Sequence, residues 1–239
     1  MLLKAKPLLG YGLKATDGVI GTVYDLVFDE ATCVLRYLVA DTGSLLPGRK
    51  VLLATVALGT PQWDRGLIPV GHTREQVRHS PVYDVTKPIS RADEVALHKH
   101  YRWAPYWAAA VTADTYPPEE PPEESDVPPG GTLRSLADTF GYAVEGLDGA
   151  MGFLDDFVLD DQSWSFRLAV VDTATWLDGR MVAFNTHWIA RFAGEKNSIE
   201  TNLPLGKVKN APPFDPEAPI NEDVEAHYFD YYGRPADYE

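Results

Sequence analysis

The stretch Tyr11–Thr55, YGLKATDGVIGTVYDLVFDEATCVLRYLVADTGSLLPGRKVLLAT, decides the fold because the chain contains it twice. It returns 131 positions later, without a gap, as Tyr142–Thr186, YAVEGLDGAMGFLDDFVLDDQSWSFRLAVVDTATWLDGRMVAFNT. A repeat of this length indicates two copies of one domain rather than an array of short stacked repeats. The identical pairs include Tyr11/Tyr142, Asp17/Asp148, Gly18/Gly149, Gly21/Gly152, Asp25/Asp156, Asp29/Asp160, Arg36/Arg167, Asp41/Asp172, Thr42/Thr173, Gly48/Gly179, Arg49/Arg180 and Thr55/Thr186.

Turn and strand signals inside the repeat predict a small β domain. Asp17-Gly18 is a hairpin signal, because glycine tolerates positive φ angles. The β-rich run Val19–Asp29 follows, and Gly21 within it permits a bulge or a sharp bend. Short strands with turn signals between them favour a sheet that closes on itself, or a sandwich. The further predicted strands are Val34–Asp41, Lys50–Ala54 and Gly66–Gly71.

Helix signals follow the strands. Thr73 has Gln76 three residues on, which is the pattern of a capping box. Ser90 has the features of a second N-cap, and its helix is expected to run to about Tyr101. The expected fold is therefore mainly β, with two small, strongly bent antiparallel β-barrels. Each barrel is followed by a short α-helix and an aromatic tail.

A change of composition separates the two copies. Residues 111–131, VTADTYPPEEPPEESDVPPGG, are rich in proline and acidic residues, which is typical of a stiff, solvated linker. Residues 1–110 are predicted to form the first domain with its C-terminal helix. Residues 132–239 are predicted to form the second domain with its own helix. Residues 111–131 are the linker between them.

The charge distribution limits the classes of partner that the protein can bind. Residues 1–115 carry 13 Lys and Arg against 11 Asp and Glu, whereas residues 116–239 carry 8 against 24. An acidic half repels phosphate backbones, so binding to nucleic acid is not expected. Solubility is the simplest reason for the acidity, and contact with a basic protein stays open.

The chain shows no membrane or export signal. No apolar run approaches the ~18–20 residues that a bilayer-spanning helix needs, and the opening MLLKAKPLLGYG is too broken for a signal peptide. A cytoplasmic location without membrane insertion is therefore expected, and peripheral association with a membrane stays open. The single cysteine excludes an internal disulfide bond.

Aromatic residues after each predicted helix form a candidate interaction surface. WAPYW at Trp103–Trp107 follows the first helix, and a tyrosine-rich segment closes the second copy. Large rings bury on the order of 150–250 Å² each, so they can also cover an open end of a barrel or a seam between the copies. The candidate surface residues are Trp103, Tyr106, Trp107, Trp176, Tyr231, Tyr232 and Tyr238.

Taken together, these motifs resemble the PRC-barrel family. The resemblance rests on the ordered Gly-Tyr start, Asp-Gly turn, glycine and aspartates of the repeat, and on its Arg…Asp-Thr strand. It also rests on the WLDGR loop at Trp176–Arg180 and on the elements Val77–Pro81 and Val208–Pro212. The set covers nearly the whole chain, twice. The closing helix with its aromatic tail fits the free-standing bacterial members.

This resemblance implies a binding or scaffolding module without catalytic activity, whose partner is another protein or a second copy of the chain. The family is named for the cytoplasmic barrel of the photosynthetic reaction centre H subunit, and it also supplies a domain of a ribosome-maturation factor. The alternative function is therefore a cytoplasmic accessory component of a photosynthetic or respiratory electron- or proton-transfer complex.

The search for catalytic chemistry is largely negative. No histidine is repeated at the equivalent position of the other copy. His98 and His100 are two residues apart on a predicted helix, so their side chains point apart and make a poor metal pair. No catalytic residue, metal site or cofactor is predicted, and the protein is not expected to be an enzyme. A small hydrolase or metal-dependent enzyme is kept as a third hypothesis.

The charged and glycine residues shared by both copies are predicted to be structural, as turn caps and Arg–Asp bridges. Asp25 and Asp29 have the even spacing that puts both on one face of a strand, so a proton relay or a cation site is the alternative. The shared set is Asp17, Asp148, Gly18, Gly149, Asp25, Asp156, Asp29, Asp160, Arg36, Arg167, Arg49 and Arg180.

Overall fold

A computed structural model describes residues 1–43, 45, 47–107, 132–174 and 177–233. The protein is mainly β, with 40% of residues in strands and 25% in helices, and its strands form a large mixed sheet. The predicted strands Val34–Asp41 and Lys50–Ala54 have the expected bounds. The strands are β1 (Leu2–Lys4), β2 (Gly12–Ala15), β3 (Gly18–Asp29), β4 (Val34–Asp41), β5 (Lys50–Ala54), β6 (Leu67–Pro69), β7 (Leu133–Ser135), β8 (Ala143–Gly146), β9 (Gly149–Asp160), β10 (Ser165–Asp172), β11 (Met181–Asn185), β12 (Ile189–Ala193) and β13 (Ser198–Thr201).

Both predicted helices of the first repeat are present with their caps. Thr73 and Gln76 form a capping box at one, and Ser90 and Asp93 form another at the second. The α-helices are α1 (Arg74–Arg78), α2 (Arg91–Tyr101), α3 (Leu136–Thr139), α4 (Leu205–Lys209) and α5 (Glu222–Tyr232). Short 3-10 helices lie at Lys6–Leu8, Thr55–Ala57, Trp63–Arg65, Thr186–Trp188 and Gly194–Lys196. No helix in the described ranges is both long enough and apolar enough to span a bilayer.

The chain forms two compact units that follow the two repeats. The repeat-1 unit consists of Leu8–Val27 and Arg36–Arg134. The repeat-2 unit consists of Ser135–Glu239 together with two short segments of the first repeat, Met1–Pro7 and Phe28–Leu35. The linker predicted at 111–131 lies outside the described residues.

The short first strand of each repeat pairs with the long strand of the other repeat. In the repeat-2 unit, β1 is antiparallel to β9, with Leu2 opposite Asp160 and Lys4 opposite Val158. The equivalent strand β7, at the start of the second repeat, pairs with β3. The sequence predicts no strand at Leu2–Lys4, because three residues are too few to show a period.

The prediction of closed, purely antiparallel barrels is wrong for the sheet observed. The strand order is β4-β3-β2-β6 in the repeat-1 unit and β12-β13-β8-β9-β10 in the repeat-2 unit, and the sheet is not closed. The pairs β2–β6 and β13–β8 are parallel. Residues 16–66, which contain β3, β4 and β5, connect β2 to its parallel neighbour β6. The edge strand β6 ends in Pro69, which has no N–H to donate to a further strand.

The aromatic core of the repeat-2 unit includes a residue from the first repeat. Phe28 is fully buried, and its ring centroid lies 5.2 Å from Phe166, 5.3 Å from Phe192 and 6.0 Å from Phe157. Edge-on ring pairs of this kind add to the free energy of burying the rings. The buried Phe28 ring therefore anchors the segment Phe28–Leu35 in this unit.

Candidate functional site

The predicted aromatic tail of the first repeat folds back along α2. The helix ends at Tyr101, and Arg102 takes a left-handed conformation with φ 58°, which reverses the chain. The Trp103 amide then donates to the His98 carbonyl oxygen over 2.9 Å. Residues Trp103–Trp107, which we call the tail, therefore lie beside the side chains of α2.

A buried carboxylate holds the far end of the tail. Glu94 on α2 is 1% exposed. Its Oε1 accepts hydrogen bonds from the Tyr37 hydroxyl on β4 over 2.9 Å and from the Tyr106 hydroxyl over 2.7 Å. Its Oε2 pairs with Arg91 Nη1 over 2.6 Å. Burial raises the pKa of Glu94, against the opposing effect of these hydrogen bonds and of Arg91.

A histidine one helical turn further on holds the near end of the tail. His98 Nδ1 lies 3.1 Å from the Ala104 carbonyl oxygen, and Nε2 lies 3.0 Å from the Tyr37 hydroxyl. A carbonyl oxygen can only accept, so Nδ1 carries the proton. Burial lowers the pKa of His98 to about 4. The imidazole is therefore neutral at physiological pH.

Two arginines occupy the faces of the tail rings. The guanidinium carbon of Arg36 lies 4.1 Å from the centroid of the Tyr106 ring, and that of Arg91 lies 4.2 Å from the Trp107 ring. Such cation–π contacts contribute about 0.5–2 kcal/mol, depending on how far they are desolvated. The tail rings are thus engaged within the repeat-1 unit.

The predicted surface aromatics fall into three groups. Trp103, Tyr106 and Trp107 are half-buried in the contacts just described. Tyr231 is also half-buried and donates to the Lys207 carbonyl oxygen over 2.9 Å, whereas Tyr232 is 1% exposed and belongs to the core. Tyr232 therefore cannot contact a partner, because its position on the inner face of α5 buries it. Trp176 and Tyr238 lie outside the described residues.

The aspartates of the two Asp-Gly turns bind the start of a helix. Asp17 Oδ1 accepts from the amide of Arg74, the first residue of α1, over 2.7 Å. Asp148 does the same for Leu205 at the start of α4, also over 2.7 Å. The turn glycines Gly18 and Gly149 have φ angles of 150° and 153°. Each aspartate is predicted from the sequence to cap its own turn, but its carboxylate accepts from an amide 57 residues further on.

Asp29 and Asp160 close the hairpin turns after the long strands. Asp29 Oδ1 accepts from the Ala31 amide over 2.9 Å. Asp160 Oδ1 accepts from the Gln162 amide over 3.1 Å. In both repeats the carboxylate is occupied by the backbone two residues on, which is the chemistry of an Asx turn.

The third shared pair is buried inside the long strands. Asp25 is 6% exposed and its Oδ1 accepts from the Leu26 amide over 2.7 Å. Asp156 is 2% exposed, and its Oδ1 accepts from the amides of Phe157 over 2.7 Å and Lys6 over 2.9 Å. The Lys6 contact fastens the segment after β1. Burial raises the pKa of Asp156 to about 6, against these hydrogen bonds.

The shared arginines do not all bridge to aspartate. Arg49 and Arg180 donate from Nη2 to backbone carbonyl oxygens, of Ser80 over 3.3 Å and of Lys209 over 2.8 Å. Arg167 pairs with Glu225 through Nε and Oε1 at 2.6 Å. Glu225 occupies the position of Glu94 in the other repeat. Because the partners are carbonyls and glutamate, aspartate spacing in the sequence could not reveal them.

A groove in the repeat-1 unit has Trp103 and His72 in its wall. Its volume is about 580 Å³, and Val56, Pro69 and Val70 are among its lining residues. The Trp103 indole N–H donates to His72 Nε2 over 3.1 Å. Burial lowers the pKa of His72. The groove is mainly apolar, and Val56 in it is 69% exposed.

A second groove, in the repeat-2 unit, lies between the segment 212–220 and the start of α5. Its volume is about 510 Å³, and its apolar lining includes Pro213, Pro219, Ile220 and Val224. Pro213 forms a β-bridge with Val182, and the Phe214 amide donates to the Met181 carbonyl oxygen over 2.9 Å, so β11 fixes this wall. We call this site the acidic groove, because the segment that forms it is rich in carboxylates.

The two repeats carry opposite charge at this place. Residues 211–233 contain six carboxylates and no Lys or Arg. The equivalent residues 80–102 contain three carboxylates and four Lys or Arg. Among the residues that the structure describes, Glu225 is the only one of the six carboxylates in an ion pair. The six are Asp215, Glu217, Glu222, Asp223, Glu225 and Asp230.

Sequence reasoning missed the residues beneath the tail. It discounted His98 because the other repeat has no histidine at that position. The useful signal was a difference between the repeats. Tyr37 and His98 stand where the second repeat has Leu168 and Phe229. A polar pair that replaces an apolar pair inside a duplicated core points to a specific role in one copy.

Neither metal coordination nor a known relative assigns a chemistry to these sites. In the described parts of the chain, no three His, Cys, Asp or Glu side chains are grouped so that they could hold a metal ion. The chain matches no protein-family model, and no curated protein matches it.

Proposed function

We propose that the protein is a non-catalytic binding protein built from two PRC-barrel-like repeats, and that its acidic groove binds a basic, amphipathic segment of a partner protein. The family resemblance supports a binding module. The ordered turn, glycine and aspartate positions that carry it occupy matching local environments in both repeats.

The observation that carries the proposal is the charge contrast between the equivalent segments 211–233 and 80–102. Acidic residues at a helix start stabilise the helix dipole, yet α2 has Arg91 where α5 has Glu222. Helix stability alone therefore does not require this concentration of carboxylates. An apolar groove with the carboxylates Asp215 and Asp223 in its lining suits a helix with one apolar face and flanking Lys or Arg.

Two synthetic amphipathic helices test this proposal, one made of Lys and Leu and the other of Glu and Leu. Binding to the full-length protein is measured by fluorescence anisotropy of the labelled peptide. We expect the Lys/Leu peptide to bind, and to bind more weakly as salt is added, because exposed charge pairs are screened. Equal binding of both peptides would overturn the proposal.

A variant with the charges of the other repeat locates the site. Ala218→Lys together with Glu222→Arg introduces the residues found at Lys87 and Arg91. At about 0.2–1 kcal/mol for each exposed pair, the affinity should fall about two- to thirtyfold. Lys87→Ala, at the equivalent of position 218, is the matched control and should leave the affinity unchanged. Unchanged binding by the double variant would also contradict the proposal.

A second candidate function is an accessory role in proton transfer, in a photosynthetic or respiratory complex of the kind that the family resemblance implies. The supporting observation is Asp156, a buried carboxylate whose pKa is raised to about 6, close to physiological pH. Carbon-13 NMR titration of the Asp156 carboxyl group tests this role. An ordinary pKa would remove its support and leave the peptide-binding proposal unaffected.

A further inference from the structure

The polar contacts beneath the tail share too few protons while Glu94 is ionised. Tyr37 Oη lies 2.9 Å from Glu94 Oε1 and 3.0 Å from His98 Nε2. His98 Nδ1 already carries the ring proton, so Nε2 of the neutral imidazole can only accept. One hydroxyl proton cannot serve both neighbours. With Glu94 ionised, one of the two contacts therefore lacks a hydrogen.

We propose that Glu94, Tyr37 and His98 form a buried site for a single proton, and that its uptake fastens the tail to α2. The proton comes from solvent and binds Glu94 Oε1, which then donates to Tyr37 Oη. The Tyr37 hydroxyl turns its own proton from Glu94 to His98 Nε2. His98 Nδ1 continues to donate to the Ala104 carbonyl oxygen. Every contact in the chain is then a hydrogen bond, and Glu94 Oε2 still accepts from Arg91 Nη1, now as part of an uncharged carboxyl group.

The groups that face this site act in opposite directions. Arg91 on α2 and Arg36 on β4 favour the ionised form of Glu94, and so does the hydrogen bond from Tyr106 on the tail. Burial has the larger effect and raises the pKa of Glu94, whereas it lowers the pKa of His98 to about 4. The added proton therefore resides on Glu94, and His98 stays a neutral acceptor.

The same two residues hold the tail at both ends. His98 binds it through Ala104 over 3.1 Å, and Glu94 binds it through Tyr106 over 2.7 Å. In the second repeat Glu225 also pairs with an arginine, Arg167 at 2.6 Å, which corresponds to Arg36 and not to Arg91. Leu168 and Phe229 replace the Tyr–His chain there. The fold does not need that chain, which points to a role specific to this tail.

The sign of the pH dependence follows from Glu94. The Ala104 carbonyl oxygen of the docked tail fixes the His98 proton on Nδ1, and this leaves Nε2 and the ionised Glu94 competing for the one Tyr37 proton. Docking therefore favours uptake of a proton by Glu94. Docking is therefore favoured as the pH falls through the raised pKa towards the ordinary value of 4.5. It weakens as the pH rises. The tail should accordingly be held more tightly in mild acid than at neutral pH.

NMR of the full-length protein tests this inference. Carbon-13 shifts of the Glu94 carboxyl and nitrogen-15 shifts of His98 are followed between about pH 4 and pH 8. We expect Glu94 to take up the proton first, with Nε2 of His98 reporting a stronger hydrogen bond at the same pH. Formation of the His98 imidazolium before protonation of Glu94 would overturn the proposal.

Amide hydrogen exchange of residues 103–107, corrected for intrinsic rates, tests the fastening. Wild-type protection should rise by about tenfold from about pH 7 to about pH 5. Glu94→Gln presents a permanent donor to Tyr37, so protection should be independent of pH. The matched variant Glu225→Gln should behave as wild type. Equal wild-type protection at the two pH values would contradict the inference, even if a variant failed to fold.

Discussion

Gly152 lies directly against the backbone of Asp172, so close that a Cβ atom at position 152 would be 2.0 Å from the Asp172 carbonyl oxygen. The equivalent pair in the other repeat, Gly21 and Asp41, would meet at 1.8 Å. In both repeats the long strand shifts register just before the glycine, between Val19 and Gly21 and between Ala150 and Gly152. The duplicated glycine therefore lets one strand bend across the end of its neighbour.

Gly152→Ala is expected to destabilise the protein severely. The new methyl group would overlap a backbone oxygen that no side-chain rotation can move, and the φ angle of 140° is unfavourable for alanine. We expect a loss of about 3–5 kcal/mol in the free energy of unfolding, measured with denaturant. Gly206→Ala, where nothing lies within 4 Å, should be neutral or stabilising. Equal effects of the two substitutions would contradict the close approach.

Asp156→Asn is expected to remove a pH dependence of stability. The pKa of Asp156 is raised from 3.8 to about 6. Between these values the folded state holds a proton that the unfolded state has released, so wild-type stability falls as the pH rises through this window. The variant should be more stable at neutral pH by at most about 3 kcal/mol.

The measurement is denaturant unfolding of both proteins at a series of pH values from about 4 to about 7. Asp178→Asn, at an exposed loop position, is the control and should retain the wild-type slope. If Asp156→Asn showed the same slope as wild type, another group would be responsible for it.

Asp148→Ala is expected to loosen the start of α4. The substitution leaves the Leu205 amide without its acceptor at 2.7 Å. Loss of such a helix-start acceptor costs about 0.5–2 kcal/mol. Faster hydrogen exchange of the Leu205 amide is the direct measure. Asp148→Asn keeps an acceptor oxygen and should exchange nearly as slowly as wild type, whereas fast exchange in both variants would argue against the contact.

Tyr37→Phe and His98→Phe are expected to be coupled in stability. At mildly acid pH, where Glu94 is protonated and Tyr37 donates to His98, removing the Tyr37 hydroxyl leaves His98 Nε2 buried without a donor, and this costs about 1–3 kcal/mol. Once His98 is also replaced, that unsatisfied atom is gone. A double-mutant cycle measured by denaturant unfolding should therefore show about 0.5–3 kcal/mol of interaction. Strictly additive effects would mean that the two groups do not share a hydrogen bond.

Local signals predicted local structure well. The bounds of β4 and β5, and the capping boxes before α1 and α2, follow from turn residues and caps that act within a few positions. The bend at Gly21 was predictable for the same reason. The use of Asp17 and Asp148 was not, because each accepts from an amide 57 residues away.

The candidate sites were only partly predictable. The aromatic tail was identified from composition, but not the residues beneath it, since Tyr37 and Glu94 are 57 positions apart. The acidic groove depended on a charge count that the sequence contains. Its position against β11 depended on pairing that no period reveals.

By itself, the sequence determined that the protein is duplicated, where each repeat turns and bends, and how charge is divided between the halves. These are properties of residue types and of spacing along the chain. Only the tertiary structure decided that the sheet is mixed and open, that the first strand of each repeat pairs with the long strand of the other repeat, and that Glu94, Tyr37 and His98 meet. Those outcomes depend on contacts between distant segments, whose free energy is shared among many weak interactions and leaves no local pattern.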